Sequence, residues 1–288
     1  MDYFIHLAIL FAIYGILGLS LNLVVGYTGL LSVAEAAFYG VGAYVTALLL
    51  VNAGWNFFAA MGVAVIASAA VALVIGLVLS RFGGDYYALA SLGFGVIIYS
   101  IFLNWQAVTN GPLGIPAIPR PDFFGYVIGD EASYLVMSLV FLLLVYVVSR
   151  FIVRSSFGRA IRAIREDEAA IQVFGYRAIN YKLLIFVIGA GIAAIAGALY
   201  ASYITYIDPS TFSVNESIFV LAIVILGGLA SLRGSLFGAA FLVLLPELLR
   251  FVGFPDTIAA QMRQAVYGVL LVVLMLYRPE GLTGEYRL

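Results

Sequence analysis

Few side chains in this 288-residue sequence could carry out chemistry on their own. It contains no cysteine, which excludes thiolate nucleophiles, disulfides and thiolate-bound metal clusters, and His6 is its single histidine. The single lysine, Lys182, stands between Tyr181 and Leu183 and not in the Gly-x4-Gly-Lys-Ser/Thr pattern that holds nucleotide phosphates. We therefore expect no catalytic residue, no metal site, no bound cofactor and no ATPase site in this chain.

Charged side chains concentrate in one segment, at about residues 150–182. Half of the 14 basic residues fall there: Arg150, Arg154, Arg159, Arg162, Arg165, Arg177 and Lys182. Ser155 or Ser156 can cap a helix, Ile164 lies on its apolar face, and Gly175 can end it. Such a helix can dock on a soluble partner. Alternatively, the segment is a solvated loop whose charge only reflects its side of a membrane.

Four further polar residues lie in or beside apolar segments, where a carboxylate is costly and is therefore a functional candidate. Glu35 either lines a pathway or begins a helix at its wet end, and we favour the second interpretation. Glu216 fits a Ser-x-x-Glu capping box. Glu247 either pairs with Arg250 or faces a pathway. For Asn22 we favour a bond to a neighbouring backbone over a place in the pathway.

The elements that position these residues are predicted to be membrane helices. The chain is 64% hydrophobic and only 10% charged, whereas a soluble domain is nearer half apolar and a quarter charged. Its net charge of -1 gives no positive field for nucleic acid. We predict one all-α membrane domain over residues 1–288, a bundle of eight or nine spans in which Gly-rich helices are re-entrant or broken. The predicted spans lie near 5–25, 33–51, 57–80, 86–104, 133–153, 180–206, 216–231, 234–252 and 262–278.

The basic residues also predict how the chain is oriented in the membrane. With the 150–182 segment on the inside, further residues fall inside with it: Arg81, Arg233, Arg278 and Arg287. Three fall outside: Arg120, Arg250 and Arg263. We therefore expect the cell or inner membrane of a prokaryote, with the N-terminus outside and the C-terminus in the cytoplasm.

Small and Gly-rich stretches predict how the helices pack. Small residues recur every four positions in the spans near 57–80 and 180–206, which is typical of closely packed membrane helices. Residues 26–42 and 227–238 match weakly at an offset of 199: Gly29/Gly228, Leu30/Leu229, Ser32/Ser231 and Phe38/Phe237. Gly-interrupted segments in corresponding places are typical of broken helices that line a transport pathway.

Five segments, in order along the chain, resemble the permease subunits of branched-chain amino acid ABC importers. The closer resemblance is to the second of the two unlike permeases in those systems. The segments are Gly26–Tyr44, Phe82–Gly95, Thr109–Pro116, Ser155–Gly175 and Leu226–Arg250. The resemblance implies inward passage of branched-chain amino acids by alternating access. It also implies a second homologous permease subunit, two cytoplasmic ATPase subunits that use ATP and magnesium, and an external substrate-binding protein, all at a lipid membrane.

Site residues follow from the resemblance and from the patterns above. The ATPase-coupling residues it implies are Arg159, Ile161, Arg162, Ile164, Arg165, Glu166, Asp167, Glu168 and Gly175. The pathway candidates are Asn22, Glu35, Thr109, Asn110, Gly227, Gly228 and Glu247. We expect replacement of Ile164 by Asp to abolish coupling while the bundle stays folded.

Three other functions stay open at this point. A paralogous permease for amides or urea would look similar in sequence. An ion-coupled transporter would need ionisable residues in mid-span, and Ala36–Ser80 and Leu183–Ile207 have none. A purely structural membrane subunit is disfavoured by the ordered Gly-rich motifs.

Overall fold

The computed structural model describes residues 2–123 and 126–250, together with positions 268, 269, 272 and 281. The helices are α1 Asp2–Leu21, α2 Glu35–Ala53, α3 Phe57–Leu79, α4 Asp85–Asn104, α5 Gln106–Thr109, α6 Glu131–Arg154, α7 Ser156–Glu166, α8 Glu168–Val173, α9 Ala178–Ile204, α10 Val214–Gly227 and α11 Leu232–Arg250. A π-helical turn, Asn22–Gly26, continues α1, and 3₁₀ turns cover Gly111–Leu113 and Pro209–Phe212. β1 Asp122–Phe123 and β2 Tyr126–Val127 form a minimal antiparallel pair.

Long apolar helices confirm the all-α, multi-pass membrane class. Six helices in the described part of the chain are long and apolar enough to cross a membrane, and they match the first six predicted spans: α1 with its π-turn, α2, α3, α4, α6 and α9. The predicted span 216–231 is wrong as a full crossing. In the structure α10 ends at Gly227, and its 14 residues reach only about 21 Å, against about 30 Å of hydrocarbon. The predicted span 262–278 lies almost wholly outside the described residues.

Small residues let α9 pack tightly between α2 and α3, as their spacing predicts. A methyl group at Gly42 of α2 would overlap the backbone of Ala194 in α9, and one at Gly197 would overlap the backbone of α2. On the other side, Ser68 of α3 is fully buried and its Oγ donates a hydrogen bond to Ala190 O at 2.9 Å. These contacts hold the three backbones close together without large side chains between them.

Two helices begin deep inside the bundle. Ser68 and Ala190 lie half-way along α3 and α9, and the neighbouring Gly189 O accepts a hydrogen bond from Ser20 Oγ at 2.7 Å. At the same level Ala36 N, in the first turn of α2, donates to Ser217 Oγ in the first turn of α10 at 2.9 Å. The connections 27–34 and 205–213 therefore enter the bundle before α2 and α10 begin.

Most of the described basic side chains collect at one end of the bundle, here called the basic end, whereas Arg120 lies at the opposite end. Arg81 and Lys182 line one recess there, and Arg150, Arg162 and Arg233 line another. At the opposite end, the connection before α6 pairs with the connection after α9 through Ile115 N to Ile207 O at 2.8 Å and Ile207 N to Ile115 O at 3.1 Å. The predicted grouping of charge therefore holds for the described residues on these elements.

Candidate functional site

Two short helices at the basic end replace the single amphipathic helix that the sequence predicts. α7 begins after Ser155, whose Oγ accepts a hydrogen bond from Gly158 N at 3.2 Å, as expected for a cap. α7 then ends because Asp167 is extended, and Asp167 Oδ1 caps α8 by accepting from Ala170 N at 2.9 Å. The prediction of one continuous helix is wrong. Its predicted end is right, since Gly175 adopts φ +86° just after α8.

The apolar face of α7 points into the bundle and away from any partner. Ile161 and Ile164 are 2% and 3% exposed, whereas Arg159, Glu166 and Asp167 are exposed. A carboxylate at residue 164 would be buried among apolar groups, which is costly without a partner. The expectation that the bundle tolerates Asp at residue 164 is therefore wrong.

An exposed apolar surface follows α8, and the sequence reasoning missed it. Val173 is 86% exposed and Phe174 77%, with Tyr176 exposed beside them. The signal was present as a Val-Phe-Gly-Tyr run directly after α8, at the basic end and just before the spanning helix α9 begins at Ala178. Large exposed apolar side chains of this kind are typical of surfaces that contact another protein or a membrane. We call Val173, Phe174 and Tyr176 the apolar tip.

The apolar tip is held by an ion pair between α8 and α9. Lys182 Nζ donates to Glu168 Oε2 at 2.5 Å, and Gln172 Nε2 reaches Glu168 Oε1 at 3.4 Å. Both members of the ion pair are partly exposed, so its contribution to stability is small. Its geometric effect is to fix α8 against the start of α9, which gives Glu168 a positioning role.

Two arginines join α7 to the end of α1. Arg165 Nη1 donates to Gly26 O, the last residue of the π-turn. The guanidinium of Arg162 lies over the ring of Tyr27, 5.2 Å from its centroid. Gly29 leaves room for this contact, since an added Cβ would come within 3.2 Å of Arg165 Cγ. A displacement of α7 would therefore act directly on the chain that leads into α2.

Asn22, in the same π-turn, clamps the connection between α10 and α11. Its Nδ2 donates to Ser231 O at 2.9 Å and Ser235 Oγ at 2.6 Å, with Gly228 O at 3.5 Å, while its Oδ1 accepts from Ala230 N at 3.0 Å. Asn22 is fully buried, so both ends of its carboxamide are satisfied by protein. This agrees with the favoured interpretation that Asn22 bonds to neighbouring backbone, although the backbone lies some 200 residues away.

The two Gly-interrupted segments have the same local structure, as the offset of 199 predicts. Gly29 N donates to Val25 O at 3.0 Å, and Gly228 N donates to Val224 O at 2.9 Å. Both glycines have positive φ, +72° and +114°. Gly227 beside them packs on the backbone of α11, where a methyl group would not fit. Both helices break at a glycine at the basic end, and Asn22 joins the two breaks. That such breaks line a transport pathway stays a prediction.

Glu35 lies in the middle of the bundle and not at a wet end. It is the first residue of α2, as expected, but it is 3% exposed and faces the Ser20 hydroxyl at the level of Gly189. Its Oε1 is buried without a hydrogen-bond partner in the described structure. The favoured interpretation of Glu35 as a solvated helix start is therefore wrong. An unpartnered carboxylate oxygen at this depth is a strong candidate for contact with a transported group.

Glu216, next to Ser217, is a second carboxylate inside the bundle. Its Oε1 accepts a hydrogen bond from Tyr14 of α1 at 2.7 Å. The predicted capping box does not form, because the Ser213 side chain makes no cap bond at the start of α10. Two carboxylates thus lie within the bundle, which weakens the sequence argument against ion-coupled transport.

Thr109 and Asn110 form a tight connection at the opposite end. Thr109 is buried, and its Oγ1 donates towards Phe102 O at 2.7 Å and Trp105 O at 2.9 Å. Asn110 adopts φ +59° in the turn that follows. These contacts close the end of α4, and they bond Thr109 to its own connection and not to Glu35 or Asn22. Glu247 is half-buried near the end of α11, and the Arg250 side chain of its predicted ion pair lies outside the described residues.

A bundle of membrane-length helices, in which α2 and α10 begin inside the bundle and a pair of basic helices packs at one end, defines a multi-pass membrane transport protein. Comparison with known sequences makes the class more specific. The family described as "Branched-chain amino acid transport system / permease component" matches residues 3–275. The chain belongs to this family.

Individual relatives agree with the family match. The high-affinity branched-chain amino acid transport system permease protein LivM of Escherichia coli K12 is 36% identical over 96% of this chain and 69% of its own length. The probable branched-chain amino acid transport permease protein LivM of Methanocaldococcus jannaschii is 26% identical over 96% of this chain and 91% of its own. LivH of Escherichia coli K12 is 28% identical over 94% and 91%. No solved structure matches.

Proposed function

We propose that this chain is a permease subunit that passes branched-chain amino acids into the cytoplasm, driven by separate ATPase subunits. The observation that carries the proposal is a continuous line of contacts at the basic end, from the exposed helix α7 to the connection between α10 and α11. It runs from α7 through Arg165 and Gly26 to Asn22, and from there to Ala230. Family membership supports the same function, since the relatives' names assign them to branched-chain amino acid transport.

In this proposal the basic end is cytoplasmic and two ATPase subunits serve the complex there. The apolar tip and the exposed polar residues of α7 and α8 would form the docking surface, with ATP and magnesium bound only by the ATPase subunits. Arg159 and Asp167 are exposed and can pair with charges of the partner, whereas Ile161 and Ile164 anchor the helix from behind. This orientation places the N-terminus outside, consistent with the positive-inside tendency of short loops.

Transmission of work to the pathway would use the same contacts. Closure of the ATPase subunits would displace α7 as a rigid element. Arg165 would then pull on Gly26 and strain the clamp that Asn22 places on the α10–α11 connection. Because packed elements switch between discrete arrangements, a small shift at α7 can open or close this connection.

The pathway itself would run along the inner faces of α1, α2, α9 and α10. The starts of α2 and α10 lie in the middle of the bundle, where the positive ends of their helix dipoles favour a carboxylate. The Glu35 carboxylate, with its unpartnered Oε1, can accept the ammonium group of the same amino acid. Glu216 is less suited because Tyr14 already occupies one of its oxygens. A second permease subunit and an external binding protein would complete the importer.

Uptake of labelled substrates by the reconstituted complex tests the function. We expect ATP-dependent accumulation of leucine, isoleucine and valine, and no accumulation of urea, together with copurification of a P-loop ATPase. Accumulation of urea or an amide instead would assign the paralogous permease function. Uptake that follows an ion gradient without ATP would refute the proposal.

A further inference from the structure

Four arginines surround one recess at the basic end, beside the contacts that the proposed transport mechanism uses. Its arginines belong to three different elements, with Arg150 and Arg154 on α6, Arg162 on α7 and Arg233 on α11. The recess is also lined by Tyr27, Tyr146, Val153, Ala230, Ser231 and Leu232. No acidic side chain lines the recess among the residues that the structure describes. Four like charges this close repel one another unless an anion lies between them.

The guanidinium groups around the recess are not neutralised by described partners. The ion pair found among residues 2–123 and 126–250 joins Glu168 to Lys182 and involves none of these arginines. Arg162 Nε is buried without a hydrogen-bond partner in that part of the chain. Its guanidinium rests on the Tyr27 ring, which leaves the N–H groups at its edge free to bind an oxygen anion.

The recess opens next to a lipid-facing surface. Tyr146, Arg150 and Arg154 follow one another at intervals of four along α6, so they share one side of that helix. The neighbouring side of α6 carries apolar residues that are largely exposed, among them Leu143 and Phe151. An anion held here would therefore lie where apolar chains can continue along α6 towards the centre of the membrane.

We propose that this recess binds a phosphate-bearing anion, and that the anion is the headgroup of an acidic phospholipid. Arginine is suited to phosphate because its planar guanidinium can donate two parallel hydrogen bonds. Basic pockets between helices on the cytoplasmic side are typical sites for acidic headgroups. Because Ala230 and Ser231 line the same recess, the bound headgroup contacts the connection that Asn22 clamps.

Lipid retention by the full-length protein, purified with its copurifying subunits, tests the proposal. Native mass spectrometry would count the phosphatidylglycerol that stays bound after exchange into phosphatidylcholine. We expect Arg150→Gln/Arg233→Gln to weaken retention about 25-fold, from about fivefold per arginine. Arg150→Lys/Arg233→Lys should retain part of the binding. Arg81→Gln removes an exposed charge at the same end but outside this recess, and it should leave retention unchanged.

Two further arms separate the sources of the anion and the competing explanation. Displacement of phosphatidylglycerol by millimolar inorganic phosphate would show that the lipid headgroup and the free anion bind in the same recess. If phosphate raises the melting temperature of the wild type but phosphatidylglycerol does not, the site takes a free anion and the lipid assignment is wrong. Equal retention by the glutamine variants and by Arg81→Gln would overturn the site. A second result would also overturn the site. If Glu280→Gln/Glu285→Gln and Arg150→Gln/Arg233→Gln lower the melting temperature equally, and lipid changes neither value, carboxylates of the chain and not a lipid neutralise these arginines.

Discussion

The clamp formed by Asn22 gives the sharpest test of how the bundle is held closed at the basic end. In Asn22→Ala, the buried Ala230 N–H loses its acceptor, which costs about 1–3 kcal/mol. The bonds to Ser231 O and Ser235 Oγ are also lost, at about 0.5–1.5 kcal/mol each. The α10–α11 connection should therefore open at least about 2 kcal/mol more easily, which is at least about 30-fold in the opening equilibrium.

Cysteine labelling can measure this opening, because the chain contains no cysteine of its own. Leu229 is 3% exposed in the clamped connection, so Leu229→Cys should react slowly with a water-soluble maleimide until the connection opens. Adding Asn22→Ala should speed the reaction at least about 30-fold when opening precedes labelling. Asn104→Ala is the matched control, since Asn104 is exposed and its Nδ2 bonds only to its own helix at Ser100 O. Equal labelling rates in the two variants would refute the role of Asn22.

Three further predictions concern the pathway, the docking surface and the core. Glu35→Gln should lower the initial rate of labelled leucine uptake at least tenfold. Glu216→Gln should keep most of the uptake rate, because Tyr14 can still donate its hydrogen bond to residue 216. Equal losses of uptake would contradict the difference between the two carboxylates. Phe174→Ser should reduce copurification of the ATPase, whereas Leu113→Ser, equally exposed at the opposite end, should not. Ile164→Asp should prevent recovery of monodisperse protein, because it buries an unpaired charge at a cost of about 3 kcal/mol or more; normal recovery would show that α7 does not pack as described.

The sequence predicts the elements well where one strong signal acts alone. A charge-free run of about 20 residues is long enough to cross a membrane as a helix, and such runs predict the ends of α3 and α9 to within about two residues. Ser155 and Gly175 were predicted correctly because a cap and a left-handed glycine are local requirements. The sequence did not predict the break at Asp167, because this residue was interpreted as one more charge within a single helix. In the structure its side chain caps the following helix, α8.

Depth and partners could not be predicted in the same way, since they depend on contacts between distant parts of the chain. Glu35 begins a helix, as expected, but whether that helix begins in water or in mid-bundle depends on how residues 27–34 fold back. The partner of Glu216 is Tyr14, some 200 residues away on an element whose sequence gives no sign of it. The direction of Ile164 was decided by the packing of α7 against α6 and α9, which turns the apolar face inward.

The repeat explains why one side chain can control the break between α10 and α11 at the basic end. At an offset of 199, Val25 and Gly29 correspond to Val224 and Gly228, and both pairs form the same helix-ending bond. Asn22 breaks the correspondence, because the equivalent position holds Leu221, which cannot form such bonds. The clamp therefore runs in one direction only, from the first break to the second. Since α7 contacts the first break through Arg165, a force on α7 can reach the second break through Asn22 and through the packing of α1 on α10 and α11.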